Sequence, residues 1–312
     1  MNELLNSSLT AGSQKAYQRA WTCYRQFHAR FYSACETHLI PVSIDALALF
    51  ISYLSSKKFA VATIHSYVSA IGYVHRLRGI GDPTKSFLIQ KLLTATSRNR
   101  VSDIRMPISR PLLHQLVSSL SSTHSSAAQR KRYAAMFTTA FYGFFRIGEL
   151  AAGNVDSGGD VLQYDDLCFI SSNGRISMAK LTIRKFKHNT ANKAFEILIA
   201  RENSVLVCPV QTLLDYCGMR GAAPGPLFCE SDLRPVTISS FNTALKRCLV
   251  FCGLDTSRYK GHSFRIGAAT HASEQGFSDS QIRRLGRWQS DAFKSYLRSG
   301  ALSANAQNDL SC

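Results

Sequence analysis

Apolar residues recur at helical spacing along most of the chain and change to strict alternation only in one central stretch. Tyr17, Trp21, Tyr24, Phe27 and Phe31 form one stripe, with Lys15, Arg19, Arg25 and Arg30 off it. That pattern predicts an amphipathic helix, capped by Ser13, with one packed face and one charged face. A second helix is expected to open at Ser43, with Ile44, Leu47, Ile51 and Leu54 as its stripe. A third opens at Thr63 and carries Ile64, Tyr67, Val68, Ile71 and Val74 before Gly79 stops it. A fourth spans Thr84 to Ser97. The charged run from Arg98 to Pro107 then reads as a linker, because the proline disfavours helix at Met106.

Beyond the linker, Pro111–Leu120 and Ala127–Phe145 read as helices, the second apolar enough to be buried. The period falls to two at Ile176, Met178, Leu181 and Ile183, and again at Phe195, Ile197 and Ile199, which predicts a small antiparallel sheet. Helices resume after Pro209. One is capped by Thr237 or Ser239 and runs through Cys252, one runs from near Ser263 to Gly276, and two short ones capped by Ser278 and Ser290 end by Gly300. The expected fold class is mainly α with a small antiparallel β-sheet, in two domains: helical over 1–100, α+β over 107–312.

Composition supports two domains, since single cores rarely grow past roughly 250 to 300 residues and this chain has 312. The formal charge of +17, from 37 Lys and Arg against 20 Asp and Glu, predicts attraction to a polyanion. The basic residues are spread over both halves, as wrapping a duplex requires. No run reaches the roughly 18 apolar residues of a membrane span; Tyr133–Phe145 is shorter and is interrupted by Thr138 and Thr139. The opening M-N-E-L-L-N-S-S-L-T has neither a basic n-region nor an apolar h-region, so an intracellular protein with no membrane partner is expected. The nine cysteines include no C-x-x-C pair, and Cys248 and Cys252, four apart, read as buried thiols rather than a zinc site.

The candidate chemistry lies in G-H-S-F-R at 261–265, L-G-R-W at 285–288 and F-K-S-Y-L-R at 293–298. These gather an imidazole, guanidiniums and a phenol. Attack on a phosphodiester without a metal needs cationic donors around the two non-bridging oxygens, and arginine suits this because its planar fork binds bidentately and stays charged. Arg146 follows the apolar run A-F-Y-G-F-F and precedes Glu149 by one helical turn; taken alone, the pair equally reads as a structural salt bridge. His262 and Arg265, three apart, can reach one phosphate. Lys187 lies in I-R-K-F-K-H-N-T at the end of a strand, two residues from Lys185. Taken alone, Tyr296 reads first as a core tyrosine beside Phe293 and Leu297; its spacing from His262, Arg265 and L-G-R-W is what favours a nucleophile. His28, His38, His65, His75, His114 and His124 show no ligand spacing, and Gly158-Gly159 lacks the context of a phosphate loop.

The order Arg, Lys, His-x-x-Arg, Trp, Tyr resembles the pattern of the tyrosine recombinase (phage integrase) family. Within it, H-S-F-R-I-G-A-A-T at 262–270 and L-G-R-W-Q-S-D-A-F at 285–293 most resemble the enzymes of eukaryotic crypton-, Ngaro- and DIRS-type mobile elements. The resemblance implies a helical core-binding domain followed by a catalytic domain. It implies that Arg146 and Arg265 clamp the phosphate, that Glu149 orients Arg146, and that His262 transfers a proton or donates to the phosphate. Lys187 would protonate the departing 5′ oxygen, and Trp288 would donate its indole N–H, with Arg287 as the alternative at that position. Tyr296 would attack phosphorus to give a 3′-phosphotyrosyl link. It implies no metal and no cofactor, double-stranded DNA as partner, and a homo-oligomer, dimer or tetramer, on paired sites. The expected role is mobile-element integration or excision, DNA-associated and nuclear if the host is eukaryotic. Two alternatives are a catalytically inactive DNA-binding protein derived from a recombinase and a type IB topoisomerase, which relaxes any plasmid as a monomer.

Overall fold

The computed structural model describes residues 9, 11–32, 39–98, 105–184, 186, 193–202 and 207–297. The chain divides into two compact units, Met1–Asp103 and Ile104–Cys312. The fold is mainly helical with one three-stranded antiparallel sheet.

The first unit holds α1 (Ala11–Phe31), α2 (Ile44–Ser56), α3 (Val61–Leu77), a 3₁₀ turn at Pro83–Lys85 and α4 (Phe87–Arg98). The aromatic stripe of α1 does face inward: Tyr24 and Phe27 are buried, and Tyr24 meets the Phe50 ring of α2 edge-on at 5.2 Å. Ser13, expected as the cap, instead lies inside α1, whose first turn begins at Ala11. Ser43 caps α2, accepting from the Ala46 N–H. α3 starts at Val61 rather than Thr63, and no side chain caps it. Its His75 is fully buried and joins two loops, with Nε2 accepting from the Val42 N–H at 3.1 Å and Nδ1 donating to the Gly81 carbonyl at 2.7 Å. Residues 99–104, the centre of the expected linker, lie outside the described residues.

The second unit begins with α5 (Arg110–Thr123) and α6 (Ala127–Tyr142), capped by Ser109 and Ser126. A one-turn helix α7 (Ile147–Leu150) follows, then β1 (Leu167–Ser172), β2 (Arg175–Ile183) and β3 (Phe195–Ala200). The later helices are α8 (Pro209–Arg220), α9 (Ile238–Phe251), α10 (His262–Glu274) and α11 (Asp279–Leu285), closed by a 3₁₀ turn at Asp291–Tyr296. α6 is buried along most of its length and packs against α5, α8 and α10. Phe264 of α10 sits 5.3 Å from Phe137 and 5.8 Å from Phe241, so three helices share one aromatic centre. Among the described residues no helix is long and apolar enough to cross a membrane.

Three expectations are corrected here. The buried helix ends at Tyr142, not Phe145, because Phe144 turns into the left-handed region at φ 52°. The sheet has a strand at 167–172 that the alternation did not reveal. Met178 points outward, 36% exposed, while Ala179, Leu181 and Ile183 face the core. The cause is a bulge: Ile170 pairs with Met178 but Ser171 pairs with Ile176, leaving Ser177 extra and reversing the phase of β2.

Candidate active site

Two helix ends meet in the second unit, and they are built alike. At the end of α6 the Phe145 N–H reaches the Ala140 carbonyl and the Phe144 N–H reaches the Phe141 carbonyl, both at 3.1 Å. At the end of α11 the Trp288 N–H reaches the Arg283 carbonyl at 3.0 Å and the Arg287 N–H the Arg284 carbonyl at 3.1 Å. Both are Schellman motifs, in which the left-handed residue is usually glycine. Here those positions hold Phe144 at φ 52° and Arg287 at φ 54°, each costing about 1 kcal/mol of backbone strain. The glycine comes one residue earlier for another reason. A Cβ on Gly143 would stand 2.3 Å from the Phe145 ring and one on Gly286 1.5 Å from the Trp288 ring. In each turn the aromatic two residues on folds back over the glycine.

The two turns present carbonyls to one arginine. Arg265, on the first turns of α10, is fully buried and donates from Nη1 to the Phe144 carbonyl and from Nη2 to the Gly286 carbonyl. The Trp288 ring lies over its guanidinium, 4.2 Å from Cζ. α10 approaches this closely because it begins at Gly261, where a Cβ would strike Ile147 at 2.4 Å.

Glu149 is the second hub. It is buried, its Oε2 accepts from the Arg146 backbone N–H at 2.9 Å, and its Oε1 accepts from the Arg146 guanidinium at 3.2 Å. Oε2 also accepts from Arg287 Nη2 at 2.7 Å. The Arg287 side chain is only 2% exposed, against 23% for Arg146. It reaches the Phe144 carbonyl at 3.3 Å and lies 5.3 Å from the Phe145 ring. Burial, then repulsion from Arg146, pull the Arg287 guanidinium below its ordinary range, while Glu149 opposes both. The hydrogen-bonded cluster thus sets three guanidiniums, of Arg146, Arg265 and Arg287, against one carboxylate. Its excess positive charge favours an anion.

The other expected residues stand as follows. His262 occupies the first position of α10, half-buried, one turn before Arg265. Trp288 lies on Arg265 and meets the Phe144 ring edge-on at 6.4 Å. Tyr296 ends the 3₁₀ turn that packs against α10 and α11, anchored by the fully buried Phe293; its side chain lies outside those described. Lys187 and Lys185 also lie outside the described residues. The structure therefore brings Arg146, Glu149, Arg265, Arg287 and Trp288 into one contact network. The bond from Arg287 to Glu149 escaped the sequence pattern. A signal that could have found its turn is the repeated order of glycine, one residue, aromatic, in G-F-F and G-R-W.

This architecture is the fold of the tyrosine recombinases and integrases. The lambda integrase dimer bound to a COC′ core site superposes with a TM-score of 0.64 at 14% identity, over 96% of this chain and 75% of that one. The XerH site-specific recombinase bound to palindromic difH substrate gives a TM-score of 0.66 at 13% identity, over 95% and 79%. In sequence, the chain is 25% identical over 301 residues to an integrase/recombinase XerD homologue of Selenomonas ruminantium, covering 92% of this chain and 81% of the relative. No family model matches the chain. In fold and in sequence alike, the chain is similar to tyrosine recombinases and integrases.

Proposed function

We propose that the protein is a site-specific DNA recombinase of a mobile element, cleaving and rejoining duplex DNA through a phosphotyrosyl intermediate. The observation that carries this reading is the cluster of two guanidiniums on Glu149 and a third, Arg265, on the neighbouring turn carbonyls, beside the segment ending in Tyr296. Arg146, the more exposed of the Glu149-bound pair, meets the scissile phosphate first, its fork oriented by Glu149. Arg265 completes the clamp and stabilises charge on the non-bridging oxygens in the transition state. His262 moves the proton of the nucleophile or donates to the phosphate, Trp288 donates from its indole N–H, and Lys187 protonates the departing 5′ oxygen. Tyr296 attacks phosphorus, conserving the energy of the broken ester for religation. The net charge of +17 draws the duplex and positions its backbone, leaving sequence choice to contacts with base edges. The DNA-bound dimer of the lambda integrase neighbour supports a homo-oligomer on paired sites. The mobile-element role is supported by the motif resemblance at 262–270 and 285–293.

The full burial of Arg265 favours a second reading, in which the chain binds DNA without cutting it. One experiment separates the two. The protein and a Tyr296→Phe variant are incubated with a mixed duplex library, including nicked duplexes that trap the intermediate, and then denatured. Covalent adducts from the wild type alone support strand cleavage. Blank lanes with both, despite salt-sensitive binding, refute it.

A further inference from the structure

Arg287 stands where the sequence left two residues open as the last donor to the phosphate. We infer that Arg287 is not a phosphate ligand but a positioning residue that acts on the reaction through Glu149. The inference rests on the proposed strand-cleavage function and assigns a part of the same site.

The geometry carries it in three steps. The Arg287 guanidinium is buried to 2% exposure and, unlike Arg265, whose Nη1 and Nη2 donate to backbone carbonyls, is paired with a carboxylate, so a phosphate gains it only by displacing Glu149. Its Nη2 is committed to Glu149 Oε2 at 2.7 Å and to the Phe144 carbonyl at 3.3 Å, and its Nη1 faces the Gly143 carbonyl at 3.4 Å. Glu149 uses the same Oε2 to hold the Arg146 backbone N–H and its other oxygen to hold the Arg146 guanidinium. The planar fork is itself fixed by the Gly143 and Phe144 carbonyls, so the nitrogen that holds Glu149 Oε2 sets where the carboxylate stands, and Arg146 inherits that placement. Lysine carries the charge but not the fork, so it does not replace arginine here.

The backbone supplies a favourable test. Arg287 adopts φ 54°, which glycine takes without strain, so Arg287→Gly removes the guanidinium while easing the turn. Cleavage is followed as covalent adduct on a nicked duplex that the wild type cuts, with duplex affinity measured in parallel. Arg287→Gly is expected to lower the cleavage rate about 100-fold while duplex affinity stays within about threefold, the signature of a group acting in the transition state. Arg287→Lys is expected to remain impaired, and added guanidinium ion to restore part of the rate of Arg287→Gly. Introduced into a Glu149→Gln background, Arg287→Gly is expected to cost less than about twofold more, because the path from Arg287 to Arg146 is already cut. Multiplied losses in the double variant, or an affinity loss matching the rate loss, would overturn the inference and leave the recombinase reading intact. A wild type that forms no adduct would overturn the recombinase reading first and this inference with it.

Discussion

Gly286→Ala tests whether the folded-back indole is what closes the site. The glycine has φ −82° and ψ −2°, a conformation alanine adopts freely, so backbone preference alone favours the substitution by about 0.4 to 1 kcal/mol. The added Cβ, however, falls 1.5 Å from Cζ3 and 1.9 Å from Cε3 of Trp288, well inside any tolerated contact. The indole must leave its seat over Arg265 and its contacts with Phe144 and Phe293. Overpacking costs about 1 to 3 kcal/mol and the lost cation–π contact about 0.5 to 2, so a net loss near 3 kcal/mol is expected. For a unit of this size that lowers Tm by about 6 to 12 °C. The assay is thermal unfolding followed by tryptophan emission in a Trp21→Phe background, which isolates Trp288. A Tm unchanged within about 2 °C, or raised, with the same emission maximum would refute the packing argument. Gly143→Ala, whose Cβ meets the Phe145 ring at 2.3 Å, should behave in the same way.

Three further outcomes are expected. His75→Phe strips the buried Val42 N–H and Gly81 carbonyl of their partner and should destabilise the first unit by about 3 kcal/mol, read from its denaturant midpoint; an unchanged midpoint would contradict the bridging role. In the second unit burial, reinforced by nearby arginines, lowers the pKa of His114, His124 and His271. The unfolded chain then binds the extra protons, so stability should be full above the ordinary histidine value of about 6.5 and fall as pH drops below it; His124→Gln should flatten that slope in Tm against pH. Finally, duplex affinity should fall steeply with salt, about 10³-fold or more between about 50 and about 200 mM if six or more phosphates are neutralised, and a flat titration would argue against the basic surface as the binding face.

Periodicity made most elements legible because their boundaries are local. Ser43, Thr237 and Ser278 each cap the helix their spacing announces, and each accepts the backbone N–H expected of it. The misreadings trace to signals that are not local. Met178 looked inward because alternation was carried through Ser177, and only pairing with β1 reveals the bulge that reverses the phase. β1 itself, L-C-F-I-S-S, is half-buried at three positions and exposed at the other three, with no clean alternation. The helix through Phe145 stopped early because Phe144 takes a left-handed turn, which no propensity assigns to phenylalanine. For the site, the residue order made Arg146, Glu149 and Arg265 readable as candidates. That Arg265 would be wholly enclosed by carbonyls and an indole, and Arg287 bonded to Glu149, depends on partners as far as 121 and 138 positions away along the chain.

The order of the sheet also bears on how the protein behaves when concentrated. With β2 in the centre, β1 and β3 each offer one flank with no neighbouring strand among the described residues. β3 reads F-E-I-L-I-A, with Leu198 57% exposed and Glu196 as its one charged residue, tied across the sheet to Lys180 at 3.0 Å. An apolar border strand guarded by a single carboxylate is a template for adding foreign strands. Glu196, a residue remote from the chemistry, is therefore expected to limit aggregation, and Leu198→Glu to raise the concentration at which light scattering sets in.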